Sequence, residues 1–125
     1  MHRYGRIAAQ LLLGVSLLGF GVAAAKAAGA LAVGSCGAYG SAIDQNDERA
    51  AHAAALGKCT GTCRIVTSLK RNCAALAVDG ENKCGAHGFA SAPRLGPAQN
   101  IALRECYQHG GKDCMIRAFV CDAKG

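Results

Sequence analysis

The sequence predicts an α+β fold: a small disulfide-stapled domain built from two tandem strand-strand-helix-strand repeats. Three observations carry this expectation. The chain of 125 residues holds eight cysteines, an even number that reads as a cross-linked framework in an oxidising compartment. An ordered series of matches relates the two halves of the chain. Short apolar runs bounded by Gly and polar residues alternate with two Ala-rich stretches of helical spacing.

The matches begin with Ala30-Leu31-Ala32-Val33 and Ala75-Leu76-Ala77-Val78. Each run leads into Cys-Gly-Ala-x-Gly, as Cys36-Gly37-Ala38-Tyr39-Gly40 and Cys84-Gly85-Ala86-His87-Gly88. Ala55-Leu56-Gly57-Lys58-Cys59 then answers Ala102-Leu103-Arg104-Glu105-Cys106, and Cys63-Arg64-Ile65 answers Cys114-Met115-Ile116. Cys73 and Cys121 close the two copies, and the successive offsets are 45, 48, 47, 51 and 48 residues. The predicted domain spans 29–121, with repeats at 29–73 and 74–121.

Within each copy the elements follow in order. Leu31 to Val33 and Leu76 to Val78 are short apolar strands. The small-residue runs 37–43 and 85–91 suit strands packed against another backbone. The first helix is expected from Asp47 to Lys58, capped by Asp44 or Asn46, with Asp47 and Glu48 at its positive end. Ala51, Ala54, Ala55 and Lys58 lie on adjoining helical positions and predict its buried face. The second helix opens at Gly96-Pro97, ends near Gly110-Gly111, and carries an apolar stripe of Ala98, Ile101, Ala102 and Cys106. The last strands, Ile65 to Leu69 and Met115 to Val120, are expected to place Ile65, Thr67 and Leu69, and likewise Ile116, Ala118 and Val120, on one face.

Residues 1–25 read as a signal peptide. Arg3 and Arg6 precede an uncharged apolar stretch from Ile7, and small residues support cleavage after Ala25 or Ala27. No basic stop-transfer cluster follows, so no stable membrane span is expected after cleavage. A periplasmic or secreted domain is the expectation. From Lys26 onward the chain has 12 basic and 8 acidic residues, a net charge of +4. That mild charge does not argue for nucleic acid.

These residues resemble the bacterial family called domain of unknown function 4189. The resemblance rests on Ala55-Leu56-Gly57-Lys58-Cys59, Cys63, Ile65-Val66, Asn72-Cys73-Ala74-Ala75-Leu76-Ala77, Cys106, Gly110-Gly111, Cys114 and Cys121. It implies a signal peptide and a small exported domain, and supplies no catalytic residue. Cys36 and Cys84 stand beyond the family's usual six cysteines, and this chain keeps Tyr39, His87 and Phe89 where the family is richer in aromatics.

The duplication and the resemblance together narrow the disulfides. Cys59 and Cys63, and Cys106 and Cys114, each join a helix end to a strand start and suit local staples. Cys36 and Cys84, the extra pair, should bond each other, because equivalent positions of two related units can meet near a pseudo-twofold axis. The same logic joins Cys73 to Cys121.

Candidate chemistry is sparse. There is no Cys-x-x-Cys, and Cys59 and Cys106 sit at helix ends where the dipole disfavours a thiolate, which argues against thiol redox catalysis. Cys106, His109, Cys114 and Cys121 have the residue types of a zinc site, but the first copy has no counterpart of His109, so disulfides are expected and no cofactor. There is no Gly-x-Ser-x-Gly elbow, and the Gly-rich runs do not precede helices as a phosphate loop must. Asp44, Asp47, Glu48 and Asp79 are available carboxylates that nothing in the sequence brings together. Lys70 and Arg71, with Lys58 and Arg64 nearby, are the candidate anion-binding residues, and no aromatics are interleaved for nucleic-acid stacking. The reading is an exported, non-enzymatic binding or interaction module whose partner is a protein or another cell-envelope component. The alternative is a small cell-envelope hydrolase using carboxylates or His109. A third reading, a lipoprotein modified at Cys36 after Val33-Gly34-Ser35, conflicts with Lys26 and with the repeat counterpart Cys84.

Overall fold

The computed structural model describes residues 28–122. The expected signal segment lies outside them. The elements are β1 (Ala28–Val33), β2 (Tyr39–Gln45), α1 (Glu48–Lys58), β3 (Arg64–Lys70), β4 (Cys73–Asp79), β5 (His87–Ala92), α2 (Leu95–Gln108) and β6 (Cys114–Cys121). A single 3-10 turn at Ser35–Gly37 links β1 to β2. Strands form two antiparallel sheets of three, ordered β2-β1-β3 and β5-β4-β6. The fold is α+β, with two units of the same strand-strand-helix-strand order.

The repeated Ala-Leu-Ala-Val explains how the layers assemble. Successive strand residues point to opposite faces. Ala30 and Ala32 of β1 face α1, where they meet Ala51 and Ala55. Leu31 and Val33 face the other sheet, where they meet Leu76 and Val78 of β4. In the second unit Ala75 and Ala77 face Ala98, Ala102 and Cys106 of α2. The central strands are therefore buried on both faces, which is why they read as continuous apolar runs. The order of layers is helix, sheet, sheet, helix. Alanine on the outer faces lets the helices lie close, and the branched side chains fill the middle.

Two equivalent glycines set that closeness. A Cβ on Gly40 would run into the Ala55 carbonyl and sit 2.8 Å from the Cys59 nitrogen. A Cβ on Gly88 would run into the Ala102 carbonyl and sit 2.5 Å from the Cys106 nitrogen. Each helix thus rests on bare backbone of β2 or β5.

Several details depart from the expectation. Asp47, not Asp44 or Asn46, caps α1, its Oδ1 accepting from the Ala50 amide at 2.8 Å. Lys58 is exposed rather than on the buried face, and Ala51 and Ala55 carry the contact. Helix α2 starts at Leu95, one residue before Gly96, with Pro97 inside its first turn, and it ends in a Schellman arrangement. There Gly110, at φ 97°, donates to the Tyr107 carbonyl at 3.1 Å and Gly111 donates to the Cys106 carbonyl at 3.0 Å.

The largest correction concerns the last strands. Ile65 lies on the α1 side, whereas Leu69 is in the inter-sheet core. Ile116 lies on the α2 side, whereas Ala118 and Val120 are in the inter-sheet core. The cause is a bulge at the same place in both sheets. Leu31 pairs with Thr67 but Ala32 with Ile65, and Leu76 pairs with Ala118 but Ala77 with Ile116. The skipped residues, Val66 and Arg117, each reverse the alternation.

Candidate functional site

Four bridges are present: Cys36–Cys84, Cys59–Cys63, Cys73–Cys121 and Cys106–Cys114. The pairs are those the duplication and the resemblance suggest. The reason given for one of them needs correcting. Cys73 is the first residue of β4, not the close of the first unit, and it pairs in register with Cys121 of β6. That bridge lies within the second sheet. Cys36–Cys84 is the one bridge that joins the two units, between the β1–β2 and β4–β5 connections. Because Cys106 and Cys114 are bonded to each other, and Cys121 to Cys73, no thiolate is available for the zinc arrangement with His109. Cys36, being bridged, also carries no lipid.

The opposite end of the domain is held by a buried carboxylate. Asp122 is fully buried, and it accepts from the Arg71 amide at 2.8 Å and the Asn72 amide at 2.9 Å, fixing the β3–β4 turn. The units are thus tethered by chain at one end and clasped by Cys36–Cys84 at the other.

At the clasped end two adjoining clefts, of about 200 and 280 Å³, share Val33, Gly34, Ser35 and His87. Lys83 lines one and Arg64 the other, and none of the residues lining either cleft is acidic. Arg117, the bulge residue of β6, donates from Nε to the Gly37 carbonyl at 3.2 Å, which holds it against the same groove. Aromatic rings steady both arginines. The Arg64 guanidinium lies 5.4 Å from the Phe89 ring centroid and the Arg117 guanidinium 5.6 Å from that of Tyr39. Each of these contacts crosses from one unit to the other. His87 stacks on Phe89, and His109 approaches it edge-on, both with centroids 6.4 Å apart. His109 itself bonds through Nδ1 to the His87 carbonyl at 2.7 Å.

Near this end Asp79, 7% exposed, ties the β4–β5 connection to the α2–β6 loop. Its Oδ1 accepts from the Glu81 amide at 3.0 Å and the Asp113 amide at 3.3 Å, and its Oδ2 from the Lys112 amide at 3.4 Å. The Glu81 amide foremost holds its carboxyl below the usual value of 3.8, against the opposing effect of burial, with the Lys112 and Asp113 amides adding to the fall. This is a structural carboxylate rather than an acid-base group.

Lys70 and Arg71 lie elsewhere. Arg64 and Lys70 are the two ends of β3, roughly 20 Å apart at about 3.3 Å per residue. Lys70 lines a cleft of about 300 Å³ shared with Asp47 and Glu48. In the same cleft Ser68 Oγ is 2.6 Å from His52 Nε2 and donates to Glu48 Oε1 at 3.1 Å, with Glu48 Oε1 3.4 Å from His52 Nε2. The hydroxyl and imidazole are within reach of each other as a nucleophile and its base must be, but the serine proton is directed to Glu48 rather than to the ring. The carboxylate, however, meets the same nitrogen as the serine, so it does not orient the ring from Nδ1 as a triad acid does. Neither His52 with Ser68 nor the Arg64, Lys83 and Arg117 grouping was singled out from the sequence, because each set is brought together only by folding.

A family model matches residues 28–121. The chain belongs to the family described as Domain of unknown function (DUF4189). No curated protein and no solved structure matches it. What the DUF4189 domain of this chain adds to that description is the geometry above: a four-bridge scaffold with a basic groove at one end and a Ser-His-Glu cluster at the other. Among the described residues no helix is long and apolar enough to cross a membrane, and no group of three His, Cys, Asp or Glu is placed to hold a metal ion.

Proposed function

We propose that this domain is an exported, non-enzymatic binding module of the bacterial cell envelope, and that its ligand is an anionic polymer seated in the groove beside Cys36–Cys84. The observation that carries the reading is the groove's composition: Arg64, Lys83 and His87 line it, Arg117 flanks it, and no carboxylate is among its lining residues. Low-dielectric walls with one sign of charge concentrate an oppositely charged ligand. Four disulfides support an oxidising location,. The proposal moves anion binding from Lys70 and Arg71, which lie near Asp47, Glu48 and Asp122, to the opposite end. The test is titration with polygalacturonate and with inorganic polyphosphate, which separate carboxylate from phosphate recognition. Arg64→Ala with Lys83→Ala should weaken binding by about tenfold or more, and Lys70→Ala should leave it unchanged. Equal losses in both variants would refute the groove.

A second reading, a small envelope hydrolase, is favoured by the short Ser68–His52 contact rather than by His109. Stoichiometric labelling of Ser68 by a fluorophosphonate, lost in His52→Ala, would establish it and displace the binding module.

A further inference from the structure

We infer that Cys36–Cys84 is a thiol-exchange site, a clasp that a dithiol can open while the other three bridges stay closed. Both of its cysteines are exposed. Cys106 and Cys114 are buried, Cys73 is fully buried, and Cys59 and Cys63 are half-buried. Access to sulfur is the first requirement for exchange. The second is charge. An attacking thiolate is an anion, and the departing sulfur becomes one. Lys83, the residue before Cys84, lines the same cleft as Cys36 and Cys84, and Arg117 donates from Nε to the carbonyl of Gly37, the residue after Cys36, so both cationic side chains belong to the surroundings of the bridge. Cations at this position favour the thiolate. Cys59–Cys63, the nearest competitor in exposure, lies instead at the C-terminal end of α1, where the helix dipole opposes an anion.

The exchange balances without any bound cofactor. One thiolate of an incoming dithiol attacks Sγ of Cys84, the bond between Cys84 and Cys36 breaks, and Cys36 leaves as a thiolate that takes up a proton. The second thiolate of the dithiol then attacks its own partner sulfur in the mixed disulfide and releases Cys84. The dithiol loses two electrons and two protons, and Cys36 and Cys84 gain them. The consequence follows from the place of this bridge. It joins the two units, and its two sides supply opposite walls of the groove. Reduction therefore loosens the clasped end while each unit keeps its own staples. This inference stands on exposure, charge and connectivity, and does not depend on the identity of any groove ligand.

The experiment is a dithiothreitol titration of the oxidised full chain, quenched with N-ethylmaleimide and read by intact mass and peptide mapping. A species carrying two maleimides, both on Cys36 and Cys84, should form at least about tenfold faster than any further labelling. Lys83→Gln with Arg117→Gln should slow that phase by about threefold to tenfold. In Cys36→Ser with Cys84→Ser the fast phase should vanish and the remaining six cysteines stay protected. First labelling at Cys59 and Cys63, opening of all bridges in one step, an unchanged rate in the charge variant, or a fast two-thiol phase surviving the double serine variant would each overturn the inference.

Discussion

Cys73 and Cys121 face each other across β4 and β6, and the corresponding pair in the first sheet is Ala28 opposite Lys70. The second sheet is thus covalently closed at a position where the first is held by the ladder alone. Ala28→Cys with Lys70→Cys should form a fifth bridge at this register. In the chain-entropy account its loop is worth about 4 kcal/mol, and engineered bridges deliver less, so a gain of about 2–4 kcal/mol is expected. Free-thiol counting and denaturant midpoints check it. Two free thiols in the folded variant would show that the two sheets are not equivalent here.

Helix seating on bare backbone gives a matched pair of substitutions. Gly88→Ala places a methyl against the Ala102 carbonyl and the Cys106 nitrogen, and should cost about 1–3 kcal/mol or more. Gly57, inside α1, has nothing within 4 Å of its would-be Cβ, so Gly57→Ala should gain about 0.5–1 kcal/mol. Urea unfolding of both variants separates the effect of space from the effect of chain entropy.

The two units should also respond alike to core truncation. Leu31 and Leu76 are both fully buried in the inter-sheet layer. Leu→Ala at either should cost about 2–5 kcal/mol. A loss at one site only, measured by thermal unfolding, would mean that the layer is not shared.

Asp79 predicts an acid dependence with a definite sign. Its carboxyl is held below 3.8 by the Glu81, Lys112 and Asp113 amides, so the folded state favours the ionised form. Its stabilisation is fully present above the unfolded value of about 3.9 and fades as pH falls through the lower folded value. The stability difference between the natural protein and Asp79→Asn should therefore be flat from about pH 5 to 7 and shrink below about pH 4. A difference that grows on acidification would contradict the hydrogen-bonding geometry.

How much of this was legible in the sequence depends on range. The Ala-Leu-Ala-Val runs carry their own instruction, since alternation alone sorts alanine to the helix side and the larger residues to the middle. The staples Cys59–Cys63 and Cys106–Cys114 were readable because the spacing is short. Cys73 was misplaced because it lies two residues after the β3–β4 turn at Arg71, and spacing cannot say on which side of a turn a cysteine falls. The bulges at Val66 and Arg117 were invisible because an inserted residue leaves composition and hydropathy unchanged while reversing every side chain beyond it. The basic groove was out of reach for a different reason. Arg64, Lys83 and Arg117 are distant in sequence and unremarkable alone, and only face-to-face packing of two sheets puts them around one opening.

Asp122 imposes an order of events on a chain that emerges from its N-terminus. The Arg71 and Asn72 amides find their acceptor 51 and 50 residues later, and Cys36 finds its partner 48 residues later. The first unit can close Cys59–Cys63 on its own, but Cys36 must wait for Cys84, before β5, and the Arg71 and Asn72 amides must wait for Asp122, just past the end of β6. While the second unit is still being synthesised the first sheet would therefore wait with Leu31 and Val33 uncovered. The most aggregation-prone interval in the life of this domain comes before the residue that latches it has left the ribosome.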